Sequence, residues 1–512
     1  KLVISTGANA RWACSGVRIR PPGPYASLEH QNRNQPANLS RPHENADQTP
    51  KRHVHSAAPT MTPWRQLRST SRKSRTFLCL LFVLFNTFAI IRALPINSTL
   101  HENRESDRGT YNRNVYRIFK LANRQASHPF GEVKNHVIFF DRNPGLFMFA
   151  AELFVRAGAT TPFPNQLLAI ALWDAGLLLL YLWLLTLFRS ELAAAVAVAH
   201  LTFTPFLLFY SSSIHHEPWC FVFFNLTFYC YVCYLRNSDK RSLIATCIAY
   251  FLLCQNYWFY YMSAGLLMIA LQWRERKLSL RDTLILAAVP VVATITTFIQ
   301  VAYALGGFDA ALFRMKDIAA ARTIDMRIEN SQWYPEKKFV RAHHWKHYPS
   351  IVRERLELIS GTPFFAFATM LIASVVMAGR AAWHRLGFML AVLLAGASWN
   401  AVMIQHTVIH HFAGMYSWPA WTLIIAVFVC ELQISVKPRR LTRFTIAFAL
   451  PLAWLTLTRD YVPFLDRYVT AVKTGEPQPS EKPAPAPKKK KPQQEAPPPA
   501  ADSLTDDDMT KE

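Results

Sequence analysis

Residues 166–188 read QLLAIALWDAGLLLLYLWLLTLF, an apolar run broken by one formal charge, Asp174. A helix over such a run crosses the roughly 30 Å of hydrocarbon in a bilayer. Comparable runs, of about 17 to 25 residues each, recur near 76–94, 192–210, 218–235, 282–304, 363–379, 385–404, 412–433 and 441–457, with charged or proline-rich sequence between them. The number and length of these runs exclude a soluble enzyme with several buried helices. The expected fold is an all-α polytopic membrane protein of about 10–11 transmembrane helices. Two large external loops, 95–165 and 305–362, are expected to carry amphipathic helices.

The net charge of +23 raises nucleic acid as a partner. The basic residues, however, sit in terminal tails, short loops and one large loop rather than along an aromatic-lined groove, so they are read as topology and phosphate signals and no nucleic-acid partner is expected. Of eight cysteines, Cys14 precedes the apolar region and seven lie within apolar runs, Cys230 and Cys233 in a C-x-x-C pattern. Thiols at bilayer depth are small packing residues, so neither a disulfide framework nor a structural zinc is expected. Residues 1–60 have no apolar run and precede Met61; they are expected to be over-extended translation or a disordered arm. The membrane domain is placed at 61–467. Residues 468–512, with Pro-Ala repeats, Lys488–Lys491 and Asp506–Asp508, form an expected disordered tail.

Charge also orients the chain. Arg65, Arg68, Arg72, Lys73 and Arg75 precede the first run and assign the amino terminus to the cytoplasm. Arg189, then Arg236, Lys240 and Arg241, then Arg274, Arg276 and Lys277, then Arg380 and Arg385, then Lys437, Arg439 and Arg440 mark further cytoplasmic turns. Connections 211–217 and 405–411 carry no lysine or arginine and should face outward with the two large loops. This alternation requires 243–272, basic at both ends, to enter and return, turning near Asn256-Tyr-Trp-Phe-Tyr260. Two full crossings need about 40 residues, so a pair of short helices buried by neighbours is expected there.

The outward side collects the unusual polar groups. Glu102, Glu105 and Asp107 follow the first span closely, where an acid can meet a lipid-linked substrate and act as a general base; a solvated loop is the plain alternative. Asp141 lies in Asp-Arg-Asn-Pro144. His215, His216 and Glu217 stand at the mouth of a run continuing Pro-Trp-Cys-Phe, where an acid favoured by the helix dipole competes with a functional role. His406, His410 and His411 edge the same side. A metal there would need further ligands that the neighbourhood lacks, so a phosphate or sugar contact and an incidental aqueous helix end stay open. In the second loop, Arg327, Lys338 and Arg341 lie among aromatics, a combination suited to a phosphate headgroup on an apolar tail or to anionic lipid alone.

Four pieces in chain order resemble the C-type glycosyltransferase superfamily, the polyprenyl-phosphate-sugar-dependent membrane enzymes that include protein mannosyltransferases and aminoarabinose transferases. They are Glu105-Ser-Asp107 with Gly109 and Tyr111 in the first external loop, then His128-Pro129 and Asn143-Pro-Gly-Leu-Phe-Met-Phe149 before an amphipathic helix. Glu217-Pro218 follows at the opening of a span, and His410-His-Phe412 precedes a span with Pro419. The chain departs from the usual pattern in having no Asp-Glu pair followed by tyrosine and no His-Pro-Pro.

The resemblance implies transfer of a sugar from a polyprenyl-phosphate donor, as co-substrate, to a lipid, glycan or protein acceptor at the external or lumenal face. Asp107, Glu105 and Glu102 would then be the catalytic acids, with Asp141 and Glu217 as supporting acids. His215, His216, Arg327, Lys338, Arg341, His406, His410 and His411 would contact substrate or phosphate, and a divalent metal ion is an admissible cofactor. Membrane lipids are the other expected partners. The rival functions are a transporter or flippase of a lipid-linked saccharide, for which Asp174 is the relevant residue, and a noncatalytic assembly or scaffold subunit. Alanine-rich spans and the Pro-Ala-Lys tail favour a bacterial cytoplasmic membrane over the endoplasmic reticulum; the sequon Asn97-Ser98-Thr99 does not decide it.

Overall fold

The computed structural model describes residues 63–97, 119, 121–123, 126–127, 146–212, 214, 216–258, 260–275, 279–322, 344–404, 407 and 415–435. The helices among them are α1 (Pro63–Ser69), α2 (Arg72–Asn97), α3 (Leu146–Arg156), α4 (Phe163–Phe188), α5 (Glu191–Thr202), α6 (Pro205–Tyr210), α7 (Glu217–Asn237), α8 (Lys240–Cys254), α9 (Tyr260–Glu275), α10 (Leu280–Leu305), α11 (Phe308–Arg322), α12 (His344–Ser360), α13 (Phe364–Met377), α14 (Ala382–Val402) and α15 (Trp418–Ser435). No strand occurs among the described residues. The all-helical class read from the sequence holds. Six helices, α2, α4, α7, α10, α14 and α15, are long and apolar enough to cross a membrane, and α5 and α13 are shorter apolar helices. The expected span at 441–457 lies outside the described residues.

Helices α4 and α7 form the central pair, with α8 against α7, α9 against α14, and α15 against both α5 and α13. Large aromatics fill the centre: Trp173, Trp183, Tyr231, Trp399 and Trp418 are all at 2% exposure or less. The polar edges of Trp173, Trp183 and Tyr231 are bonded, as burial in a medium without water favours, with Tyr231 Oη donating to the Met268 carbonyl at 3.3 Å. Trp183 Nε1 donates to Asn225 Oδ1 at 2.9 Å, and Trp173 Nε1 donates to the Tyr210 carbonyl at 2.9 Å. At the periphery the pattern inverts. Helix α2 buries Leu78, Leu81, Phe85, Ala89 and Ala93, spaced three or four apart, and leaves Leu80, Val83, Leu84 and Ile91 exposed. Val291, Val292, Ile295 and Ile299 of α10 and Phe365, Ile372 and Val376 of α13 are likewise exposed. A continuous apolar exterior over several helices suits hydrocarbon rather than water.

Two expected spans are interrupted. The 192–210 run divides into α5 and α6 because Pro205 supplies no N–H and forces Thr204 into extended backbone, φ −68°, ψ 147°. The Thr204 hydroxyl caps the new helix, accepting from Leu207 N at 3.3 Å. The 243–272 stretch forms two short helices, α8 and α9, with the chain turning after Cys254. They do not pack as a closed hairpin: α8 lies against α7 and α10, whereas α9 lies against α14. Side chains satisfy the broken backbone. Tyr250 Oη donates to the Tyr261 carbonyl at 2.7 Å, Tyr261 Oη to the Cys254 carbonyl at 3.1 Å, and Gln255 Nε2 to the Ala293 carbonyl of α10 at 3.0 Å.

The helix ends sort into two faces. One gathers the basic turns. Arg236 and Arg274 both donate to the Leu187 carbonyl near the carboxyl end of α4, where a cation meets the negative end of the helix dipole. Both arginines also pair with Glu275, and Arg385 pairs with Glu431. Ser190 Oγ donates to Gln433, and Tyr234 Oη donates to Asp282 at 2.6 Å. The opposite face holds the amino ends of α4, α7 and α15 and the turn between α8 and α9. Helix α12, from the second large loop, packs on α6 and α13 at that end.

Candidate functional site

The site is built at the end opposite the basic turns. Helix α3 supplies its outer wall. Its apolar positions Phe147, Met148 and Ala151 pack with Phe119, Leu121, Ala122 and Ile214, and Trp219 of α7 lies against the same cluster. The first large loop therefore folds a helix onto the mouth of α7. Within that helix Glu152 is 1% exposed and accepts from Arg156, one turn on, at 2.7 and 2.8 Å. The i, i+4 pair places a carboxylate inside the loop fold at the cost of binding it to a cation.

Helix α7 begins at Glu217, with Pro218 in its first turn, where a missing N–H costs no helical bond. Glu217 is 5% exposed and the preceding His216 is 2% exposed. His216 Nε2 lies 3.4 Å from Glu217 Oε1. The imidazole stacks on Tyr257, centroids 3.6 Å apart and planes within 10°, while Phe147 of α3 approaches at 6.0 Å with a 58° tilt. Three chain segments distant in sequence thus meet at one histidine.

Behind the pair, Tyr260 at the start of α9 and Tyr416 just before α15 are within electrostatic reach of Glu217. They touch edge to face at 5.8 Å. Trp418 completes the wall against Phe221 and Phe224, each at 5.0 Å. A second polar knot lies beside it. Asn400 Nδ2 donates to Ser417 Oγ at 3.3 Å, Thr407 Oγ1 donates to Asn400 Oδ1 at 3.1 Å, and Tyr348 of α12 donates to the Asn400 carbonyl. Burial pushes the Tyr348 phenol above its ordinary pKa, so it is a donor at neutral pH.

A buried carboxylate next to an imidazole and walled by aromatic rings can accept a proton from a hydroxyl or amine, while the ring faces pack against a sugar or an apolar chain. Among the described residues no group of three or more histidine, cysteine, aspartate or glutamate side chains gathers as a metal site would need. Of the residues singled out in the sequence, the structure brings together His216 and Glu217. Glu102, Glu105, Asp107, Asp141, His215, Arg327, Lys338, Arg341, His406, His410 and His411 lie outside the described residues. Reading by sequence passed over Tyr257, Tyr416, Glu152 and Asn400. Only weak local signals marked them, such as the aromatic run Tyr257–Tyr261 beside Asn256 where a turn was needed, and an acid four residues before Arg156.

Comparison with known proteins finds no matching protein-family model and no curated protein of similar sequence.

Proposed function

We propose that the protein is a membrane glycosyltransferase that moves a sugar from a polyprenyl-phosphate donor to a lipid, glycan or protein acceptor at its outward face. The observation that carries this reading is the His216–Glu217 pair, buried at the mouth of an apolar helix with the first-loop helix α3 folded over it. Such a site holds a base where a lipid-borne substrate would present its headgroup, between hydrocarbon and water. An inverting transfer needs a base for the acceptor and cations for the departing phosphate. Glu217 with Asp107 and Glu105 are the proposed acids, and Arg327, Lys338 and Arg341 with His410 the proposed phosphate contacts.

The test is transfer of radiolabelled sugar, in membranes supplied with several polyprenyl-phosphate sugars, to total lipid and protein. Glu217→Gln keeps the shape and removes the base; the expected loss is about 10²- to 10⁴-fold. Asp107→Ala and Glu105→Ala in the same assay identify the partner acid. Absence of label from the unaltered protein with every donor overturns the reading.

One observation favours a passage for a lipid-linked saccharide instead. Asp174, midway along α4, accepts from Asn86 Nδ2 of α2 at 2.8 Å, and acids inside spans mark transport pathways. Uptake of a fluorescent lipid-linked saccharide into proteoliposomes, lost in Asp174→Ala and kept in Glu217→Gln, would establish that function.

A further inference from the structure

We propose that Tyr257 is a positioning residue, which holds the His216 imidazole against Glu217; its link to chemistry rests on the reading of Glu217 as a working acid. His216 directly precedes α7 and is outside its helical side-chain spacing, so what packs against its ring bears on how it meets Glu217. The His216 backbone is at φ −75°, ψ −19° and its side chain makes no capping hydrogen bond to the helix it precedes. The Tyr257 ring lies parallel to the imidazole at 3.6 Å and packs against its face. A ring in that position leaves the imidazole one plane in which to lie, and in that plane Nε2 is 3.4 Å from Glu217 Oε1.

Tyr257 can act as a platform because the turn that carries it is braced. Its own N–H donates to the Leu253 carbonyl at 3.3 Å. Tyr250 and Tyr261 cross-bond the ends of α8 and α9, and Gln255 ties the turn to α10. The break in 243–272 thus replaces a continuous span by a rigid corner that presents one aromatic face to the mouth of α7.

Two measurements on the full-length purified protein test this. Hydrogen–deuterium exchange at the carbon between the His216 ring nitrogens, followed by mass spectrometry, reads the ring's surroundings without any substrate. Tyr257→Phe retains the stack and is expected to exchange as the unaltered protein does; Tyr257→Leu removes it and exchanges faster. Tyr257→Met, flexible and of similar volume, stands in if the leucine variant fails to fold, judged by elution profile and helicity. In the sugar-transfer assay the aliphatic variants should lose on the order of a hundredfold, as expected for a misplaced catalytic group, with Tyr257→Phe restoring the rate.

Exchange unchanged in the aliphatic variants, or altered equally by Tyr257→Phe, overturns the proposal. If exchange responds as expected but no sugar is transferred by any sample, the positioning role stands and the transferase reading fails. If Glu217→Gln abolishes transfer while Tyr257→Leu changes neither measurement, the reverse holds.

Discussion

At the scale of single residues, close approach and stacking decide what can change. Gly396 of α14 faces α15, and a Cβ there would fall 2.5 Å from the Ala420 Cβ. Neither atom is at the end of a flexible side chain, so the helices would have to separate. Gly396→Ala should destabilise by about 1–3 kcal/mol, read as a lower thermal midpoint of the solubilised protein, with Ala420→Gly recovering part of the loss. Gly176 is a similar contact against the Phe221 ring, at 2.3 Å. Glu217 was legible in the sequence because a carboxylate beside proline at the start of an apolar run is conspicuous. Tyr257 was not, because an aromatic in an apolar stretch looks the same whether it faces lipid, core or an imidazole.

At the scale of elements, polar contacts fasten the outer helices to the bundle. Asn86 to Asp174 joins α2 to α4 in the span interior. Interhelical hydrogen bonds in membranes average about 0.6 kcal/mol and reach about 1.7, so Asn86→Ala should lower stability by that amount without unfolding the bundle, measured by denaturation in mixed micelles. At the basic end, Glu191 ties the α1–α2 link to α5, accepting from Ser71 N at 2.9 Å, Ser71 Oγ at 2.6 Å and Ser74 Oγ at 2.5 Å. Burial pushes this carboxyl up, and the three hydrogen bonds outweigh it, leaving its pKa below the ordinary 4.5. A carboxylate with a lowered folded pKa stabilises above its unfolded pKa and loses that contribution as pH falls through the folded one. The thermal-midpoint gap between the unaltered protein and Glu191→Gln should therefore be constant near neutrality and close at pH values below 4.5. The interruption at Pro205 could be anticipated from the chemistry of proline; the splaying of α8 and α9 could not, because it depends on which neighbours each helix finds.

At the scale of the whole molecule, helix ends sort by charge. The basic turns at 189, 236, 274 and 385 lie on one face, and the site lies on the other. The positive-inside rule assigns the first face to the cytoplasm. In intact cells or right-side-out vesicles, a membrane-impermeant thiol reagent should label Asp309→Cys, at the start of α11, and should label Ser238→Cys, at the end of α7, only after permeabilisation. The opposite pattern would invert the orientation and move the site to the cytoplasm.

The sequence alone determined the helical membrane class, the position of the long spans and the alternation of charged turns. These depend on transfer free energies that add along the chain, so each stretch carries its own signal. Only the tertiary structure decided that α3 folds onto α7, that the break between α8 and α9 is sealed by side chains reaching across to α9 and α10, and that Tyr257 lies flat against His216. Such contacts join residues far apart in the chain, and their energy depends on an ångström-scale geometry that no local pattern of residues encodes.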